Sequence, residues 1–136
     1  MTKLNMKHLI ILLMLSAPCY AASGALWQAV CAVESGGNPM AYNAKEQAAG
    51  IAQIRPICLR DCNRIVGYER WTLTDRYNPI KARAMFEMYT GHYMKHYGLA
   101  GNEAASRIWN GGGTGWRKKS TLAYWRRVER FILELT

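Results

Sequence analysis

The chain has 136 residues, half of them hydrophobic and 20% charged, so it has room for one domain and too much apolar surface for a disordered tail. Eighteen Lys and Arg against nine Asp and Glu give a formal charge of +9. That excess fits an anionic partner such as nucleic acid, acidic lipid or a cell-wall polymer without choosing among them, and nine carboxylates leave few carriers for any carboxylate mechanism.

The first element is a targeting signal. Lys3 and Lys7 precede an apolar run from Leu9 to Leu15, and Ser16-Ala17-Pro18-Cys19-Tyr20-Ala21 follows, which is the order of a secretory signal peptide. The run is shorter than the roughly 20 residues that cross a bilayer as a helix. Cleavage is expected after Ala21, with a retained membrane anchor as the alternative. A lipid-modified Cys19 is disfavoured by Pro18 directly before it. Residues 1–21 are therefore read as signal peptide and residues 22–136 as one exported domain, placed in the periplasm, outside the cell or at the cell wall.

Three cysteines remain after cleavage, Cys31, Cys58 and Cys62. An odd count leaves at least one thiol unpaired or paired between chains. Cys58 and Cys62 sit one turn apart in a predicted helix, with Cβ atoms about 5–6 Å apart. A disulfide wants about 3.8 Å, so that bridge would be strained, and small buried hydrophobes are the better reading.

The domain then reads as a series of helices. Ala25–Val33 (ALWQAVCAV) shows no repeating polar face and predicts a buried helix, stopped by Gly36-Gly37-Asn38-Pro39. Residues 40–48 form a polar loop, with room for a small hairpin before Gly50. Ala49–Ile54 reads as a short helix. Pro56 opens the next, Ile57–Val66, and Gly67 closes it. Asn78-Pro79 begins a long amphipathic helix running to Gly98, with Ile80, Ala84, Met88 and His92 assigned to one side. Glu103–Trp109 is helical, Gly111–Gly115 a loop, and Thr121–Leu135 a last helix with Leu122, Trp125, Val128, Ile132 and Leu135 on one face. No convincing period-two alternation is found, so the fold is expected to be all-α or mostly α.

Glu34 does not suit its place. It closes an apolar helix, where the partial negative charge of the helix C-terminus disfavours a carboxylate. Partial burial against Trp27, Val30 and Val33 would favour the neutral form too. Both effects raise the pKa, as a general acid requires near neutral pH; the competing reading is an ordinary solvated glutamate. No metal or cofactor is expected: His92 and His96 stand at helical spacing, but with neither the Glu of an HExxH motif nor a third ligand.

Four segments stand in an informative order: Glu34-Ser35-Gly36-Gly37-Asn38-Pro39, Ala49-Gly50-Ile51-Ala52-Gln53-Ile54, Trp109-Asn110-Gly111-Gly112 and Tyr124-Trp125-Arg126-Arg127-Val128. Together they resemble the soluble lytic transglycosylase (SLT) domain, a family related to goose-type lysozyme. Its patterns are E-S-x-x-N-P, G-L-M-Q-I, A-Y-N-x-G and a late Tyr-x-x-x-Val. The resemblance runs from Leu26 to Phe131. It implies a lysozyme-like single helical domain with a glycan-binding cleft, and cleavage of the β-1,4 bond between N-acetylmuramic acid and N-acetylglucosamine without water. Glu34 would protonate the glycosidic oxygen and then act as base toward the C6 hydroxyl, closing a 1,6-anhydro ring. Ser35, Gln53 and Asn110 would bind the sugars or steady the acid, with Gly111 beside Asn110 and Tyr124 near the carboxyl. Ile51-Ala52 replaces Leu-Met, and Trp109 replaces the Tyr before Asn110. A further family aromatic on the long helix falls on Phe86 or Tyr89, undecided from sequence.

Glycosidases that use water place two carboxylates about the bond, roughly 5 Å or 6.5–9.5 Å apart. The only other carboxylate near Glu34 is Glu46, read as a solvated loop charge. One catalytic carboxylate suits attack by the substrate's own hydroxyl, whereas a Glu46 lining the cleft would open hydrolysis. Local turns or caps at Asn110 and Ser35, and core packing at Tyr124, are the bland alternatives. Arg117, Lys118, Lys119, Arg126, Arg127 and Arg130 gather toward the C-terminus as a solvated face or an attraction to anionic envelope components. The expectation is a monomeric peptidoglycan lytic transglycosylase acting on glycan strands, with envelope or secretion-machinery partners open. A lysozyme-type hydrolase or a non-catalytic wall-binding module is the alternative. A nucleic-acid binder conflicts with the export signal and with the lack of a base-reading helix.

Overall fold

A computed structural model describes residues 22–136, so the expected signal peptide and the expected cleavage after Ala21 lie outside the described residues. Among the described residues five α-helices carry the fold, with a two-stranded hairpin between the first and second. Helix α1 spans Gly24–Ser35, α2 Pro56–Val66, α3 Pro79–Tyr97, α4 Asn102–Gly111 and α5 Leu122–Leu135. Strands β1 (Tyr42–Asn43) and β2 (Ala48–Ala49) pair antiparallel, with Tyr42 opposite Ala49 and Asn43 opposite Ala48. Short 3₁₀ turns at Leu73–Tyr77, Gly115–Arg117 and Lys119–Thr121 complete the chain. The mostly helical expectation holds, as does the hairpin before Gly50.

Punctuation in the sequence sets the helix ends. Ser23 Oγ accepts from the Leu26 amide at 3.1 Å and starts α1. Gly36, left-handed at φ 64°, stops it: the Gly36 N–H donates to the Ala32 carbonyl and the Gly37 N–H to the Cys31 carbonyl. Pro56 opens α2 and Gly67 closes it; Asn78 Oδ1 caps α3 by accepting from the amides of Ile80 and Lys81.

Two expectations need correction. Ala49–Ile54 is not a short helix but a closed turn. Gly50 (φ 81°) and Gln53 (φ 52°) are left-handed, which breaks any right-handed helix. Ala49 and Ile54 exchange both backbone hydrogen bonds, at 3.1 and 3.0 Å. The second correction concerns α3. Its buried side is Ala82, Met85, Phe86, Tyr89, Thr90 and Met94, whereas Ile80 is 82% exposed and His92 is also exposed. The long helix carries apolar residues on both sides, and the packing of α2 and α4 against it decides which side is covered.

Phe86 is fully buried at the centre of the core. The rings of Trp27 and Trp109 lie 5.6 and 5.0 Å from it, so α1, α3 and α4 meet on one aromatic cluster. Helix α5 packs on α1 and α4 through buried Tyr124 and Val128. Cys31 and Cys62 are buried, Cys58 is half-buried, and all three are free thiols. Cys62 Sγ donates to the Met85 carbonyl at 3.7 Å.

Candidate active site

The chain's large cleft, about 900 Å³, lies where the end of α1, the hairpin and its turn, α2, α3 and the end of α4 meet. Glu34, Glu46, Gln53, Tyr89, Asn110 and Gly111 all line it. Residues separated by up to 77 positions in the chain are thus brought to one surface.

Glu34 sits in the last turn of α1 and is half-buried. Its pKa is raised from 4.5 to about 7, first because burial penalises the charged form. Tyr124, Arg127 and Arg55 pull it down, and the negative charge of Glu46 pushes it up by less than burial does. The carboxyl therefore carries its proton over much of the range below neutrality, as an acid catalyst requires. Tyr124 is 3% exposed and does not line the cleft. Its hydroxyl is close enough to the Glu34 carboxyl for each to shift the other, yet it closes no hydrogen bond and stays an unpartnered buried oxygen. Burial first, and then the charge of Glu34, hold the phenol proton more firmly.

The turn after β2 presents Gln53. Gly50 permits that turn: a Cβ there would stand 1.8 Å from the Arg76 carbonyl oxygen, so any side chain would collide with backbone. Gln53 Nε2 donates to the carbonyls of Gly50 (3.0 Å) and Ala41 (3.2 Å), which fixes the side chain and leaves its Oε1 for a donor in the cleft. A buried guanidinium holds the segment from behind. Arg76 Nη1 donates to the carbonyls of Gln47 (2.7 Å) and Ile54 (2.8 Å), and its Nε to that of Leu73 (2.9 Å).

Ser35 is not among the residues that line the cleft. Its hydroxyl is half-buried and donates to the Ile51 carbonyl at 2.7 Å, tying the end of α1 to the Gln53 turn. Steadying the acid is the part of its expected role that this geometry serves. Glu46, expected to be a solvated loop charge, is exposed yet lines the cleft. Asn43 Oδ1 accepts from the Lys45 and Glu46 amides and shapes the hairpin bend that puts it there.

Asn110 and Gly111 end α4, and the Gly112 amide donates to the Ile108 carbonyl at 2.9 Å. The Asn110 side chain makes no hydrogen bond within the described residues, whereas the Gly111 carbonyl is occupied by Lys118 Nζ at 2.6 Å. Gly113 lies flat on Tyr93, where a Cβ would come within 2.4 Å of the ring. Of the two aromatics left open on α3, Phe86 belongs to the core and Tyr89 to the cleft. Tyr89 meets the rings of Tyr93 and Trp109 edge to face at 5.0 and 5.9 Å, giving the cleft an aromatic wall.

A family model for the transglycosylase SLT domain matches residues 18–130. The chain belongs to that family. No curated protein matches it at a significant level. Among solved structures, a chain of the crystal structure of Aeromonas hydrophila PliI in complex with Meretrix lusoria lysozyme is similar to it. That chain is 25% identical with a TM-score of 0.69, the match covering 82% of this chain and 93% of that one. Tapes japonica lysozyme is 22% identical, also at a TM-score of 0.69, over 82% of this chain and 94% of that one. The SLT domain described here thus has a lysozyme-like fold. Sequence reasoning missed the cationic side of its cleft, where α2 contributes Arg60 and Arg64 and the α2 N-cap contributes Arg55. The spacing of Arg60 and Arg64 places those two on one face of a helix, but charges on such a face look the same whether they meet a ligand or only water.

Proposed function

We propose that this SLT domain is a peptidoglycan lytic transglycosylase that breaks the bond between N-acetylmuramic acid and N-acetylglucosamine, with Glu34 as both acid and base. Glu34 gives its proton to the glycosidic oxygen as the bond to C1 breaks. The carboxylate then takes the proton of the C6 hydroxyl while O6 attacks C1. The 1,6-anhydro ring closes, and Glu34 ends the cycle protonated with no water consumed. The observation that carries this reading is a single half-buried, proton-holding carboxyl in a cleft shared with Gln53 and Asn110. The amide groups of Gln53 and Asn110 have the donor and acceptor pattern to bind sugar hydroxyl and acetamido groups. Tyr124 beside the carboxyl favours its ionised form, the state in which Glu34 takes the C6 proton.

Hydrolysis is the second reading, and it rests on Glu46. An exposed carboxylate that lines the same cleft and couples to Glu34 has the means to activate a water. Mass spectrometry of products from purified sacculi separates the two: anhydromuropeptides support transglycosylation, and reducing ends support hydrolysis. Glu34→Gln should release neither product while keeping the fold. Release at the parent rate would remove Glu34 from the mechanism, and binding of sacculi with no soluble product from the parent would leave a wall-binding module.

A further inference from the structure

The cleft carries more positive charge than a sugar backbone can use. Four cationic side chains line it, Arg55, Arg60, Arg64 and Lys118. Arg64 is taken by Asp61, 2.6 Å away, and Asp61 accepts a further hydrogen bond from the Tyr93 hydroxyl. Lys118 is taken by the Gly111 carbonyl. Arg55 and Arg60 have no ion pair among the described residues, and both are exposed. On the negative side, Glu34 is mostly neutral below pH 7 and Asp61 is paired, which leaves Glu46 alone against two unpaired guanidinium groups.

Hydroxyl and acetamido groups of amino sugars are neutral. They give no reason for two uncompensated arginines on a cleft wall. The anions of peptidoglycan are the carboxylates of the peptide stem carried by the muramic lactyl group. Arg55 is the extended N-cap of α2 and Arg60 lies in the helix's second turn, about 7–8 Å farther along the axis, and both line the same cleft. Two carboxylates borne two to three residues apart on an extended peptide span about 7–10 Å. Ile57, 65% exposed between them and also lining the cleft, offers the stem an apolar contact.

We propose that Arg55 and Arg60 form a carboxylate-binding rail for the acidic peptide stem, so that the domain prefers peptide-bearing strands to stripped glycan. This rests on the peptidoglycan reading above and adds to it a substrate class. The test compares cleavage of peptide-bearing glycan with cleavage of the same glycan stripped of its stems by an amidase, which leaves one lactyl carboxylate on each muramic residue in place of the several carboxylates of the stem. The chain from Ala22, its Arg60→Gln and Arg55→Gln/Arg60→Gln variants, and Arg126→Gln/Arg130→Gln, two exposed positions on α5, as a charge-matched control are assayed side by side. The parent should favour peptide-bearing strands by roughly tenfold in kcat/KM, the size expected of two partly exposed ion pairs. The double rail variant should bring that ratio near one, chiefly through KM for the peptide-bearing strand. The control should keep the parent ratio.

A parent ratio of one overturns the proposal, as does a ratio that survives loss of both arginines or falls equally in the α5 control. Failure of the parent to cut either substrate has a different meaning. It removes the peptidoglycan reading, and the rail with it.

Discussion

Replacing Glu34 with Gln should make the protein more stable, and more so as the pH rises. Folding raises the carboxyl pKa from 4.5 to about 7, so the folded state binds the proton more tightly than the unfolded chain. Below pH 4.5 both states are protonated and the residue costs nothing by this route. Between pH 4.5 and 7 the unfolded chain ionises first, and stability is progressively lost. Above pH 7 the full difference applies, and at about 1.4 kcal/mol per unit it reaches about 3 kcal/mol. Glu34 is only half-buried, and screening by water reduces this to about 2 kcal/mol. Gln has nearly the same shape and cannot ionise, so the variant escapes the cost. Parent and Glu34→Gln should melt together near pH 4, and the variant should melt about 5–10 °C higher near pH 8. Calorimetric melts at the two pH values measure this directly. A variant with no advantage at pH 8, or with the same advantage at both, would refute burial as the source of the raised pKa. The reason for choosing Glu34 as the acid would then be gone.

The neighbours of Glu34 should move its titration in opposite directions. Tyr124→Phe deletes a group that lowers the pKa, so the alkaline limb of kcat/KM should shift upward. Because the Tyr124 hydroxyl closes no hydrogen bond, that change should cost less than about 1 kcal/mol of stability. Glu46→Gln deletes a group that raises the pKa, so the limb should shift downward, as read from a pH–rate profile. Arg76→Met should cost about 3 kcal/mol in urea unfolding and speed amide exchange across residues 47–54, because three carbonyls lose a charged donor. Gly50→Ala places a methyl 1.8 Å from a backbone oxygen and should lose about 3 kcal/mol or more in the same assay.

Much of this fold is legible in the sequence because its helices are punctuated. Ser23, Gly36, Pro56, Gly67, Asn78 and Gly98 stand at helix ends as their side chains, or lack of one, require. The Ala49–Ile54 turn is not legible, since a left-handed Gln is set by the bridge around it and by Arg76 behind it, both distant in sequence. The buried side of α3 is hidden for a related reason: two apolar stripes compete, and only the neighbouring helices choose. At the site, the order of the motifs was enough to bring Glu34, Gln53, Asn110 and Gly111 to one cleft. It did not place Ser35 behind the wall or Glu46 on it. Those outcomes depend on how the hairpin bends, and an Asn side chain holding two amides governs that bend.

The guanidinium of Arg76 has a consequence for how the domain meets changing acidity. Arginine keeps its proton at any pH a protein survives. The brace behind the hairpin is therefore indifferent to conditions that switch the nearby carboxyl on and off. Shape and protonation are governed by separate groups, so a shift toward alkali would ionise the carboxyl and leave the groove around it braced as before.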